Sequence, residues 1–186
     1  LMSSPGAGKT TLLEKTIDAL KNDIRIGVIE GDIETARDAE RIAAKGVPAV
    51  QINTKGACHL DGNMIRDTFS EFNFSELDLL VVENVGNLVC PAAYDLGEDF
   101  RVALLSVTEG EDKPLKYPTM FKTAEVIVVN KMDIAEVVGF DRESALENIH
   151  AIAPGAAVFE VSARTGTGME AWYGYLTHRM EERGKR

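Results

Sequence analysis

The pattern of this chain predicts an α/β fold, a single three-layer domain in which a mostly parallel sheet is flanked by helices. Three observations carry that expectation. Short apolar runs alternate with helix-period segments from one end to the other. Several runs are nearly continuous in Val, Ile and Leu, as strands covered on both faces require. No repeat, low-complexity tract or linker interrupts the alternation. Strands are expected at residues 24–30, 49–53, 77–84, 100–107, 124–130 and 157–161, and helices at 10–21, 35–45, 62–72, 141–151 and 168–182.

Composition bounds the function. A length of 186 residues with 45% hydrophobic side chains fills one core without disulfides or metal staples, so residues 1–186 read as one domain. Thirty acidic against 20 basic residues leave a net charge of −10, which repels nucleic acid and anionic membranes, and no Lys/Arg patch overrides it. Two cysteines without a secretory leader point to the cytoplasm. No apolar run approaches the roughly 18 residues of a membrane span.

The first motif opens the chain. Ser3-Ser4-Pro5-Gly6-Ala7-Gly8-Lys9-Thr10-Thr11 matches the Walker A pattern with Ser3 in place of the first Gly, which makes the predicted domain a P-loop NTPase. The residues Pro5, Gly6, Ala7 and Gly8 let successive backbone N–H groups curl around phosphate oxygens at a helix N-terminus. Lys9 neutralises the β- and γ-phosphates, and the Thr10 hydroxyl is a magnesium ligand, with Thr11 beside it. Only Leu1 and Met2 precede the loop, too few for the strand that should feed it, so that strand is expected to be truncated.

Asn130-Lys131-Met132-Asp133 closes a buried strand and fits the NKxD pattern of guanine recognition. The Asp133 carboxylate there pairs with two guanine donors that adenine lacks, so it selects GTP and GDP over adenine nucleotides. Ser162-Ala163-Arg164 resembles the segment whose backbone contacts the guanine oxygen, with Arg164 in place of the usual Lys. Glu83-Asn84-Val85-Gly86 reads as a DxxG element: Glu83 holds Mg²⁺, and the Gly86 N–H approaches the γ-phosphate because no Cβ blocks it. Asp32 ends the second expected strand, where it ligates Mg²⁺ or orients the attacking water, with Glu30 the alternative. Lys9, Asp32 and Gly86 are thus the catalytic candidates. No glutamine or arginine finger stands out near Asp32 or Gly86, so slow turnover is expected.

Cys58-His59 and Cys90 flank these segments. A reduced Cys is ordinarily a small buried hydrophobe. Two thiolates and an imidazole nonetheless suit Ni²⁺ or Zn²⁺ rather than Mg²⁺. Three ligands do not close a tetrahedral structural site, and a homodimer with facing loops supplies four thiolates and two imidazoles. His150 and His178, on expected helices, read as ordinary helix positions, Trp172 and Tyr175 as packing residues. The acidic loop at 108–113 carries no assigned chemistry.

Over nearly its whole length the chain resembles the GTPases of the signal-recognition and metallochaperone class, and most closely the HypB family of hydrogenase nickel-incorporation GTPases. The phosphate loop, Cys58-His59-Leu60-Asp61, the stretch from Glu83 to Pro91 and Asn130-Lys131-Met132-Asp133 carry the resemblance. It implies a GTP-dependent dimer that holds nickel or zinc at Cys58, His59 and Cys90. It also implies delivery of nickel, with other maturation proteins, to the hydrogenase large-subunit precursor. The N-terminal cysteine motif or His-rich stretch of some family members is not in this sequence. Two rivals stand beside it. One is a urease-type nickel chaperone GTPase, whose Cys-Pro-His motif is here split between Cys58-His59 and Cys90-Pro91. The other is a regulatory GTPase module gating a partner enzyme, such as a cobalamin-dependent mutase, with structural cysteines.

Overall fold

The computed structural model describes residues 1–32 and 37–184. All six expected strands form, each within two residues of its expected start: β1 (Ile26–Asp32), β2 (Ala49–Asn53), β3 (Leu79–Glu83), β4 (Val102–Ser106), β5 (Val126–Asn130) and β6 (Ala157–Glu160). Every pairing between them is parallel, in the orders β2-β1-β3 and β4-β5-β6. Leu1 and Met2 join the two halves. The Leu1 nitrogen donates to the Val82 carbonyl at 2.6 Å, its carbonyl accepts from Asn84 N at 3.0 Å, and Met2 bridges in parallel to Ala103. These two residues therefore lead straight from the middle of the sheet into the phosphate loop.

The helices follow the apolar spacing. α1 (Lys9–Leu20) buries Leu12, Leu13, Thr16, Ile17 and Leu20 along one face, where α7 (Met169–Gly184) lays Trp172 and Leu176 against the same core. Trp172 Nε1 donates to Thr16 Oγ1 at 2.9 Å, so the indole is satisfied inside the core as a packing residue should be. Tyr175 packs on that core too, stacked against Trp172. α6 (Arg142–Ile152) starts at Asp141, whose carboxylate accepts from Ser144 N. His150 and His178 are both exposed on their helices.

Three elements differ from the expectation. α2 (Arg37–Ala43) is shorter than 35–45 at its C-terminal end, and the expected start at Thr35 lies outside the described residues. α3 (Gly62–Asp67) stops well before residue 72, because the Thr68 hydroxyl bonds back to the Ile65 carbonyl at 2.8 Å and the chain turns to bury Phe72. Two short helices, α4 (Lys113–Lys116) and α5 (Pro118–Lys122), were not expected; each carries its proline in the first turn, where the missing N–H costs nothing.

Candidate nucleotide crevice and metal cluster

The phosphate loop meets the C-terminal ends of β1 and β3 in a crevice of about 430 Å³. Lys9 is buried, and its ammonium donates to Ser3 Oγ at 3.2 Å, so the residue that replaces the first Walker glycine holds the lysine in place. Thr10 Oγ1 donates to Glu83 Oε1 at 2.9 Å. Pro5, Gly6, Gly8 and Thr11 line the same space, while Ala7 is fully buried beneath it. Gly86 sits so close to the loop that an added Cβ would fall 2.9 Å from Pro5 backbone atoms; only glycine lets the two segments touch.

The acids at this end are unusual. Glu30 and Glu83 are both buried, and one oxygen of each has no hydrogen-bond partner. Burial first, and then the neighbouring Glu83 charge, push the Glu30 carboxyl up to about 10. Burial likewise raises Glu83, against the opposing pull of the Lys9 ammonium. The orphaned Glu83 oxygen beside the Thr10 hydroxyl offers hard-oxygen donors of the kind that fit Mg²⁺. Asp32, half-buried at the end of β1, faces the same crevice. Glu30, the alternative to Asp32 in the sequence, is the more deeply buried of the two.

Sequence reasoning missed two crevice residues. Arg41 and Asp38 of α2 line it, with the Arg41 guanidinium tied to Glu14 on α1 at 2.7 Å and to Asp38 at 2.9 Å. The sequence shows no arginine finger near Asp32 or Gly86, and Arg41, which lines the crevice, is engaged by these two carboxylates. Arg41 stands within a helix-period run, and only the packing of α2 beside the loop brings it there.

The base end assembles from three distant segments. Asn130 Nδ2 donates to the Ala7 carbonyl at 3.0 Å and its Oδ1 accepts from Ala163 N at 3.0 Å. Lys131 Nζ donates to the Gly6 carbonyl at 2.7 Å, and Ser162 Oγ donates to Asp133 Oδ1 at 2.6 Å. Asp133 itself is exposed, and so is Arg164.

Cys58, His59 and Cys90 converge although 32 residues separate the cysteines. Their Sγ atoms lie 2.7 Å apart, Cys58 Sγ is 3.8 Å from His59 Nδ1, and all ligand atoms fall within 4.8 Å of one another. All three residues are half-buried, so the thiols are not fully buried core hydrophobes. The hydrogen bond from Cys58 is the main cause that raises the Cys90 thiol.

Side-chain amides connect this cluster to the crevice. Asn84 Oδ1 accepts from both Leu60 N (3.0 Å) and Val85 N (2.9 Å), clamping the Cys58-His59 loop to the Glu83–Gly86 segment. Asn87 donates through its backbone to the Ser3 carbonyl at 2.8 Å, while its side chain accepts from Cys90 N at 3.1 Å. Gly31, one residue before Asp32, leaves space for Leu60, whose side chain lies 2.7–3.0 Å from where a Cβ would stand. These links were not legible in the sequence, because Leu60 is 24 residues from its Asn84 partner.

A phosphate loop fed from the middle of a parallel sheet, with an asparagine-lysine-aspartate segment tied to its back, defines a P-loop nucleotide-binding domain. A family model for the CobW/HypB/UreG nucleotide-binding domain matches residues 1–160. Hydrogenase maturation factor HypB of Azotobacter chroococcum mcd 1 is 52% identical over 176 residues, which are 95% of this chain and 58% of that protein. The hydrogenase/urease maturation factor HypB of Helicobacter pylori strain 26695 is 43% identical over 185 residues, covering 97% of this chain and 76% of that protein. The crystal structure of HypB from Helicobacter pylori in complex with nickel superposes with a TM-score of 0.92 at 42% identity, covering 98% of this chain and 86% of that one. The chain belongs to the CobW/HypB/UreG nucleotide-binding family and, within it, to the HypB hydrogenase maturation factors. It spans 58% of the length of the Azotobacter relative. Among the described residues no helix is long and apolar enough to cross a membrane.

Proposed function

We propose that the protein is a GTP-hydrolysing switch that carries nickel or zinc on Cys58, His59 and Cys90, and serves nickel insertion into nickel–iron hydrogenase as a cytoplasmic homodimer. The observation that carries this reading is the convergence of the three soft ligands at the end of the Gly86 segment, within two amide clamps of the phosphate loop. The names of its relatives, hydrogenase maturation factors, and the nickel complex of the Helicobacter protein support the cargo and the pathway.

In this reading Lys9 and the loop N–H groups hold the triphosphate, and Asp133 with Ser162 and Ala163 reads the guanine edge. Thr10, Glu83 and Asp32 would hold Mg²⁺, which would neutralise negative charge on the phosphates. Gly86 offers its N–H to the γ-phosphate from the segment that continues into Cys90. Ordering that segment on a triphosphate changes the spacing of Cys90 from Cys58, which couples nucleotide state to metal grip. Arg41 is tied to Glu14, so charge stabilisation by an arginine is held back and turnover stays slow. Three ligands per chain leave coordination to be completed by a second copy.

Two measurements test it. Phosphate release is expected from GTP and not from ATP; an ATP preference would overturn the Asp133 assignment. Nickel and zinc titrations of the GDP and GTP-analogue states, with sedimentation in parallel, are expected to differ in affinity and to show metal-dependent association that Cys58→Ala abolishes. Equal affinities and unchanged association in that variant would remove the metal switch.

A further inference from the structure

His59 is held in an unexpected way. A metal-binding imidazole is usually fixed by a hydrogen bond from its second ring nitrogen to a carboxylate or carbonyl, which sets both tautomer and orientation. Among the described residues the only polar contact of the His59 ring is to Cys58 Sγ. Its face is covered instead: the Tyr94 ring stacks on it with centroids 3.9 Å apart and planes 13° from parallel. Tyr94 is itself 41% exposed, so this large aromatic is not in place to fill the core.

Tyr94 is in turn fixed from below. The Arg101 guanidinium, at the foot of β4, donates to the Tyr94 carbonyl at 2.9 Å and to the Ala92 carbonyl at 3.3 Å, and pairs with Glu98. The turn Cys90–Ala93 therefore has its far end stapled to the sheet, while Asn87 holds its near end. One segment presents both Cys90 as a thiol ligand and Tyr94 as a flat wall, and the wall leaves the ring edge of His59 turned toward the sulfurs.

We propose that Tyr94 is a positioning residue for the metal site: by stacking on the His59 imidazole it orients that ring as the nitrogen ligand beside Cys58 and Cys90. The inference rests on the metal reading given above. A phenyl face suffices for the stack, so the hydroxyl is dispensable, and the effect of Tyr94 on metal passes through His59 alone.

The test is a double-mutant cycle on the whole protein, read by nickel and cobalt titration against a competing chelator and by X-ray absorption to count nitrogen and sulfur ligands. Tyr94→Phe is expected to bind like the parent. Tyr94→Leu is expected to weaken binding about 10- to 100-fold, the range of other outer-sphere changes, and to lose the nitrogen scatterer while keeping the sulfurs. In a His59→Ala background the Tyr94→Leu change is expected to cost nothing further. The proposal is overturned if Tyr94→Leu keeps parental affinity and its nitrogen ligand, if the loss persists in the His59→Ala background, or if Tyr94→Phe is as weak as Tyr94→Leu. Thermal melts accompany each variant, and Tyr94→Met repeats the comparison should the leucine variant fold poorly. Cys58→Ala separates the two levels of inference. If it leaves binding intact, the metal site falls and Tyr94 with it; if it abolishes binding while Tyr94→Leu does not matter, Tyr94 alone falls.

Discussion

At the nucleotide crevice Ser3, Lys9, Thr10, Glu83 and Asn130 are all buried, and each is hydrogen-bonded to a neighbour within the protein. At the metal cluster Cys58, His59 and Cys90 are half-buried, and their positions depend on two asparagine amides and a stacked tyrosine. The first region is preorganised: its charges are fixed before any ligand arrives, which is what makes electrostatic stabilisation effective. The second is half-buried and tied to the first through Asn84 and Asn87. The proposed switch needs both, one end that recognises the same nucleotide every time and another whose grip depends on what the first end holds.

The largest effect expected from that contrast is at Lys9. Lys9→Ala removes the fixed cation, and a loss of roughly 10²- to 10³-fold in kcat for GTP hydrolysis is expected, with nickel affinity of the nucleotide-free protein unchanged. A matching fall in nickel affinity would mean that the two regions are not separable. Next is Cys90→Ala, expected to weaken nickel binding by more than the roughly 100-fold that outer-sphere changes reach. Its GTP hydrolysis without metal should stay near the parental rate, read as phosphate release.

Asn84→Ala should sharpen the comparison, because that amide belongs to both regions. Two backbone N–H groups lose their acceptor, which costs about 1–3 kcal/mol of stability in a denaturant melt. The diagnostic result is smaller: nickel affinity should no longer differ between the GDP and GTP-analogue states. A last effect concerns pH. Glu30 titrates at about 10 in the folded chain against an ordinary value of 4.5, so its retained proton favours the fold fully below pH 4.5 and that contribution drains away as pH rises toward 10. Melting of the Mg²⁺-free protein should therefore fall with pH across the neutral range more steeply than melting of Glu30→Gln. Parallel slopes would show that the buried pair is not the cause.

The fold was legible because each strand is a continuous Val/Ile/Leu run between recognisable breaks, and β2 matches residues 49–53 at both ends. The phosphate and base ends were legible for a similar reason: their chemistry is written in contiguous segments. What escaped was pairwise. Arg41 enters the crevice because α2 packs beside α1, Asn84 matters because Leu60 is folded against it, and Tyr94 matters because His59 lies beneath it. No local spacing encodes a contact between residues tens of positions apart. The short helices α4 and α5 were missed for another reason, since a proline reads as a break although it is welcome in a first turn.

Gly31 offers a last consequence. Its bare backbone lets Leu60 nestle against the tip of β1, so a single methyl group placed there would push directly on the residue that follows His59. Gly31→Ala would act as a wedge: it adds no charge and no polar group to the crevice, yet it would lift the loop that carries one thiol and the imidazole. The distance between the phosphate crevice and the candidate metal loop in this molecule is thus, at its narrowest, the width of one hydrogen atom that glycine has in place of a side chain.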